Sequence, residues 1–420
     1  MIGGTMGSIS NSTLFVPRQT IGRGGPVFAS FWMGGYDGAE PISGADRGTS
    51  MCDITQHCLQ AADDYARLAD FGIRTVRESV GWRTVDRPGG FDYSSFTARA
   101  RAARAAGLQV VWTLCHYGWP HDLDVFSPAF VDRFARYAGA VAKFLAEFHL
   151  DTPVYAPIDE LSFLSWTACE DNRLRIDPRL RNRTRDLQRQ LVRAAIAACD
   201  AIWKADPRAR ILHTDPLLHI VAPVNRSDLK EEAARQCDQQ FHGWDMLCGK
   251  LEPELGGHPR YLDLVGVNYY SGNQWELLTG RTLNWRPDDT RRVPLATLLD
   301  EVHRRYVRPV VIAETGHVGI SRAAWLRDVA GEVNVARQQG VPIEGVCLYP
   351  IIDRPDWDNT DQWHSSGLWD LRPSANGELR RHLDEDYAAA LHDIQRSLLP
   401  ASTSHHPRTS ATPAILHPRV

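Results

Sequence analysis

The sequence predicts an α/β protein folded as one closed (β/α)8 TIM barrel. Three observations predict it: eight short apolar runs rich in β-branched residues, amphipathic helical stretches alternating with them, and chemically coherent polar residues where the runs end. The runs are Val27–Met33, Ile73–Glu78, Gln109–Cys115, Val154–Ile158, Arg210–His213, Leu264–Tyr269, Val310–Ala313 and Gly345–Leu348. An open doubly wound sheet would carry a Gly-rich phosphate turn after its first strand, whereas Gly22-Arg23-Gly24-Gly25 precedes the first run, so the dinucleotide-binding reading is weak.

Taken in order, Ala62, Tyr65, Leu68 and Ala69 form a helical stripe leading to Gly72, a helix stop before the second run. After the third run Ser127 suits a helix cap and Pro128 the first turn. Phe130, Phe134, Tyr137, Val141, Phe144 and Phe148 then recur at steps of four and three, marking one apolar face. Residues 1–25 are Gly/Ser-rich, and 399–420 mix Pro, Ser, Thr and His without periodicity, so two disordered tails are expected around a barrel domain of 26–398. Loops that select a substrate are expected in Glu40–Cys58, Ser165–Asn182 and Ser271–Arg291.

Composition narrows the function. With 43% hydrophobic residues among 420, the chain can bury a large core. The 47 Lys and Arg against 51 Asp and Glu leave a net charge of −4, which offers no field to gather a phosphate backbone, so no nucleic acid partner is expected. No apolar stretch reaches the roughly 18 residues of a membrane span, and the N-terminus has no charged segment of the signal-peptide kind. No membrane partner is expected, and the location is read as cytoplasmic. The eight Cys, scattered without a CxxC pair, read as reduced, mostly buried hydrophobes. No run of His or Cys at a strand end suggests a metal, and no cofactor is expected.

In a barrel, reacting groups project from the C-terminal ends of strands. Here the second run ends in Arg77-Glu78, the third at His116, the fourth at Asp159-Glu160, the sixth at Asn268-Tyr269-Tyr270 and the seventh at Glu314. The eighth leads to Asp353, Asp356 and Trp357. Glu160 and Glu314 each terminate an apolar run, where burying a carboxylate without a use is costly. Two facing carboxylates are what glycoside hydrolysis needs, one protonated to release the leaving oxygen and one ionised.

Five segments, in this order, resemble the retaining β-glycosidases of glycoside hydrolase family 1. They are Phe71-Gly72-Ile73-Arg74-Thr75-Val76-Arg77-Glu78-Ser79-Val80-Gly81-Trp82, Leu114-Cys115-His116-Tyr117-Gly118-Trp119-Pro120, Val265-Gly266-Val267-Asn268-Tyr269-Tyr270, Ile312-Ala313-Glu314-Thr315-Gly316 and Ile351-Ile352-Asp353-Arg354-Pro355-Asp356-Trp357. The resemblance implies a β-glucosidase-like hydrolase of O-glycosyl bonds, acting by double displacement on the nonreducing end of a small glycoside or oligosaccharide. In it Glu160 is the acid/base and Glu314 the nucleophile. Arg77 and Tyr270 would hold that nucleophile ionised, with Tyr269 an alternative to Tyr270. His116, Asn268, Asp356 and Trp357 would bind the sugar. Two departures are visible. Asp159 stands where the family has Asn against the sugar 2-hydroxyl, and the first-strand segment lacks the usual glutamine, leaving Asp37 or Glu40 for that space. A structural alternative has Arg77 neutralising Glu78 or Glu160. A transglycosidase, or a catalytically silent carbohydrate-binding protein, would fit the same fold. The oligomeric state is not readable.

Overall fold

A computed structural model describes residues 26–40, 50–171, 178–357 and 359–398. Both expected tails, and parts of the first two expected substrate loops, lie outside the described residues. Eight strands close a barrel: β1 (Trp32–Gly35), β2 (Thr75–Ser79), β3 (Gln109–Cys115), β4 (Val154–Ile158), β5 (Arg210–Pro216), β6 (Leu264–Asn268), β7 (Val310–Thr315) and β8 (Ile343–Leu348). Every barrel pairing is parallel, and β1 closes the ring by pairing with both β2 and β8. The principal helices are α1 (His57–Arg67), α2 (Ser94–Ala105), α3 (Pro128–Leu145), α4 (Thr184–Ala205), α5 (Lys230–Gln239), α6 (Leu295–Tyr306), α7 (Arg322–Gln338) and α8 (Glu385–Leu398).

The third and fourth runs match their strands to the residue. The fifth and seventh run on to Pro216 and Thr315, because ladder pairing continues through polar residues at which an apolar run appears to stop. The first strand starts at Trp32 rather than Val27.

Side chains alternate across each strand, and this splits the core in two. Met33, Val111, Val154, Leu212, Leu264, Val311, Ala313, Cys347 and Tyr349 fill the barrel interior. Their neighbours Trp32, Val110, Trp112, Tyr155, Ile211, Val265, Val310, Ile312 and Val346 join the larger core beneath the helices. Gly35 is needed where β1 passes Tyr349, since a Cβ there would lie 2.1 Å from the ring.

On α3, Pro128 opens the helix and Phe130, Phe134, Tyr137 and Val141 are buried as expected; Phe144 is half-buried, as is Phe148 in the turn that follows the helix. Burying each of the four fully buried side chains contributes about 1.5–3 kcal/mol. Ser127 holds the cap position, but its hydroxyl donates to the Asp124 carbonyl instead of capping. The expected stripe before Gly72 holds at Tyr65 and Leu68 but not at its two alanines. Ala62 and Ala69 are exposed, while Ala61, Asp64, Tyr65 and Leu68 are buried. A buried aspartate was invisible to an apolar pattern; Asp64 is taken up by ion pairs. Gly72 ends this helical segment in the left-handed conformation, φ 60°.

A further expectation is overturned. Cys52 and Cys58 form a disulfide across the start of α1, so the cysteines are not all reduced; Cys115, Cys169, Cys199, Cys237, Cys248 and Cys347 are free. Among the described residues, no helix is long and apolar enough to cross a membrane.

Candidate active site

The alternation on β2 points Arg77 and Glu78 in opposite directions. Arg77 pairs across the ladder with Val111, an interior residue, and its guanidinium lies over the Tyr349 ring; Glu78 pairs with Trp112 on the helix side. Inside the barrel Arg77 donates from Nη1 to Glu314 Oε1 at 2.5 Å, from Nη2 to Asp159 Oδ1, and from Nε to Thr113 Oγ1 at 3.2 Å. It neither touches Glu160 nor shares a face with Glu78, so the structural alternative for Arg77 is not what the chain adopts.

Glu314 reaches this position through an irregularity of β7. Val311 and Ala313 face the interior, and strict alternation would turn Glu314 outward. The register against β6 slips between Ile312 and Glu314, and the slip brings the carboxylate back to the interior beside Arg77. Its other oxygen accepts from the Tyr270 hydroxyl at 2.7 Å. Tyr269 is turned away, its hydroxyl bonded to Gln274 and Arg292, which decides between the two tyrosines.

At the end of β4, Glu160 adopts a left-handed conformation, φ 45° and ψ 54°, unusual for a residue with a side chain. The consecutive carboxylates Asp159 and Glu160 therefore both reach the site, by different routes. Glu160 accepts from the Tyr117 hydroxyl and from Asn268 Nδ2 at 2.9 Å, both neutral donors. Asp159 accepts from Arg77 and from Thr214 Oγ1 at 2.6 Å, and His116 Nε2 lies 3.2 Å from its second oxygen.

These surroundings set the charges. Burial, and then the Asp159 charge, push the Glu160 carboxyl up to about 8. Burial would raise Asp159 too, but the charges of Arg77 and His116 and the Thr214 bond hold it below its ordinary range. Burial and the Asp159 charge outweigh Arg77 at Glu314 and push it up as well, counter to the expectation that Arg77 and Tyr270 alone would keep it ionised. Of the two glutamates only Glu314 touches a cation; the side-chain partners of Glu160 are neutral. Burial lowers His116, which lies between Ser79 Oγ (3.1 Å from Nδ1) and Asp159.

Of the expected sugar-binding residues, His116, Asn268 and Asp159 stand with the two glutamates. Asp37 does not present a free carboxylate: it accepts from the Ala39 amide and from Trp357 Nε1, at 2.9 and 3.1 Å, and lies 3.0 Å from Arg354 Nε. Glu40 is buried, bonded to the backbone amides of Arg83 and Thr84 and to the Thr84 hydroxyl. Asp356 lies 3.1 Å from His364 Nε2, and Asp353 is spent on the Arg354 and Ser366 amides. Sequence reasoning assigned no role to Tyr117, Thr214 or Arg354. Tyr117 lay within a quoted segment, and Thr214 follows directly on the fifth apolar run, so proximity to a strand end was the signal that could have found both.

No family model matches the sequence, and no curated protein matches it. Solved structures do. A structure described as the AHE enzyme from Alicyclobacillus herbarius superposes with a TM-score of 0.69 at 16% identity, over 87% of this chain and 98% of that one. A family 1 β-glucosidase from Thermotoga maritima gives 0.66 at 15% identity, over 87% and 96%. A β-glycosidase from Pyrococcus horikoshii gives 0.67 at 15%, over 88% and 95%. The chain has the barrel fold of the family 1 β-glycosidases, a glycoside hydrolase-like fold, at an identity that marks a divergent sequence.

Proposed function

We propose that this protein is a retaining β-glycosidase acting by two-glutamate double displacement on the nonreducing end of a small-molecule glycoside. The observation that supports the reading is the difference in partners between two buried carboxyls at one end of the barrel. Burial raises both, but Glu160 accepts from the neutral donors Tyr117 and Asn268, while Glu314 is paired with Arg77 and Tyr270.

In the first step Glu314 Oε attacks the anomeric carbon as the glycosidic C–O bond breaks, and the Glu160 carboxyl proton passes to the leaving oxygen. In the second, ionised Glu160 takes a proton from water, whose oxygen attacks the anomeric carbon and releases Glu314. Tyr270 and Arg77 hold the nucleophile in line. Tyr117 and Asn268 orient the acid. Asp159 keeps the acid protonated by repulsion and fixes Arg77.

Hydrolysis of a panel of aryl β-glycosides by wild type and Glu314→Gln, side by side, tests the proposal. Turnover of at least one member that vanishes in the variant is the expected result. Silence across the panel, or equal turnover by both proteins, would overturn it.

A further inference from the structure

We infer that Asp215, a buried aspartate on the helix side of β5, is the positioning residue of the acid/base. It caps the helical turn that Glu160 begins, and so holds the Glu160 carboxyl on Tyr117 and Asn268. The inference deepens the glycosidase reading and rests on it for the role of Glu160.

The need for such a residue arises at Glu160 itself. Glu160 stands at the cap position of the short helix Leu161–Trp166, where a side chain ordinarily turns back to accept from the first free amides of the helix. Its carboxyl makes no such bond, because it is turned into the site toward Tyr117 and Asn268. The backbone there is also left-handed, a conformation that the surroundings must impose on a residue with a side chain.

The missing acceptor comes from β5. Alternation along that strand sends Thr214 into the barrel and Asp215 to the helix side, where its ladder partner is Val267. Thr214 Oγ1 donates to Asp159 at 2.6 Å. Asp215 accepts from the Ser162 amide at 3.0 Å on Oδ1 and from the Ser162 hydroxyl at 2.7 Å on Oδ2. Ladder pairing of β4 with β5 runs through Tyr155 and Ile211; beyond it, these side-chain bonds join the two strand ends. Two neighbours on β5 thus fasten the Asp159-Glu160 step from its two sides.

Asp215 is buried, and among the described residues no Lys, Arg or His forms an ion pair with it, in contrast to Asp64 and Glu78. A carboxylate buried without a cation depends on its hydrogen bonds, and those of Asp215 go to the turn after Glu160. The pair is packed in place. Gln188 Nε2 donates to Ser162 Oγ at 3.1 Å, and Gly243 closes over both residues, since a Cβ there would lie 2.8 Å from Ser162 Oγ and 3.1 Å from Asp215 Oδ2.

Three variants test the inference. Asp215→Ala removes the acceptor and Asp215→Asn keeps it. Asp215→Ser, too short to reach the Ser162 amide, stands in for alanine should that variant not fold. The readouts are the crystal structure of each variant and kcat/KM on phenyl and dinitrophenyl β-glycosides of a sugar that the aryl glycoside panel turns over. In Asp215→Ala or Asp215→Ser the Glu160 carboxyl should leave hydrogen-bond reach of Asn268. There kcat/KM should fall roughly 10- to 100-fold on the phenyl glycoside, whose leaving group needs the proton, and by less than about threefold on the dinitrophenyl glycoside. Asp215→Asn should keep Glu160 in place and retain the wild-type dependence on leaving group. Glu160 unmoved in a folded Asp215→Ala or Asp215→Ser, an equal loss on both glycosides, or Asp215→Asn as impaired as Asp215→Ala would overturn the inference. Silence of the panel would remove the hydrolase reading alone, and the crystal structures would still decide whether Asp215 sets the position of Glu160.

Discussion

Two carboxylate clusters lie back to back across β2, and their difference separates chemistry from structure. On the interior side, Arg77 contacts Asp159 and Glu314, while Glu160 accepts from Tyr117 and Asn268 and touches no guanidinium. On the helix side, Glu78 accepts from His57 Nε2 at 2.8 Å, Tyr65 at 2.7 Å and Arg99 at 2.5 Å, and Asp64 accepts from His57 Nδ1 and twice from Arg381. Both clusters are buried. Burial pushes every one of these carboxyls up, but at Glu78 the His57 and Arg99 charges overcome it, as the His57 and Arg381 bonds do at Asp64, and both end below their ordinary range. Inside the barrel too few cations are present, and Glu160 rises to about 8. Burial is common to the two sides; the ratio of cations to anions decides which carboxyl can hold a proton near neutrality.

The contrast can be broken from either side. The largest effect is expected for Glu314→Gln, with glycosidase turnover reduced below detection and the melting temperature kept near wild type, as removal of an attacking group without loss of packing requires. Glu160→Gln should cost about 10²- to 10⁴-fold in kcat, concentrated on aryl glycosides with poor leaving groups, which need the proton most. A uniform loss across leaving groups would deny Glu160 its acid role.

On the helix side, Glu78→Gln leaves Arg99 without its buried counter-ion and His57 with Asp64 alone, and should lower stability by about 3–5 kcal/mol in a denaturant melt. Tyr270→Phe removes one hydrogen bond to a charged group, about 1.5–3 kcal/mol, and should lower kcat/KM by roughly 10- to 100-fold.

Smaller shifts in pH dependence sharpen the comparison. Activity should fall on the alkaline side near the value of about 8 held by Glu160, and Asp159→Asn should move that limb to lower pH by removing the neighbouring charge. For the helix-side cluster the sign depends on the group. The Glu78 and Asp64 carboxyls are depressed, so their contribution to stability is present above the ordinary range of about 4 and is lost as pH falls through their folded values. Burial works to lower His57, but the Glu78 charge and the bonds to both carboxylates leave it raised. Its contribution is complete below about 6.5 and is lost as pH rises through the raised value. The stability advantage of wild type over His57→Gln should shrink across that alkaline window, measured by melting temperature against pH.

Much of this organisation was legible in the chain. Strand runs and the α3 stripe follow from local periodicity, which depends on neighbours three or four residues away, and the polar residues at strand ends mark one mouth because a parallel barrel puts all those ends on one side. The stripe before Gly72 was legible at Tyr65 and Leu68, but the burial of Asp64 was not, since its partners lie at 57 and 381, one of them more than 300 residues distant. The disulfide between Cys52 and Cys58 escaped a reading based on motif spacing.

By itself, the sequence determined the barrel, the order of its strands and the short set of residues from which a site could be made. The tertiary structure alone decided which of those residues meet. The slip in β7 that turns Glu314 inward, the left-handed backbone at Glu160, the choice of Tyr270 over Tyr269, and the capture of Asp37 by Trp357 and Arg354 all depend on contacts between distant segments. Periodicity tells which face of a strand is apolar, but which charge meets which is settled only when separate strands bring their ends together in a dry interior, where a shift of one residue exchanges one partner for another.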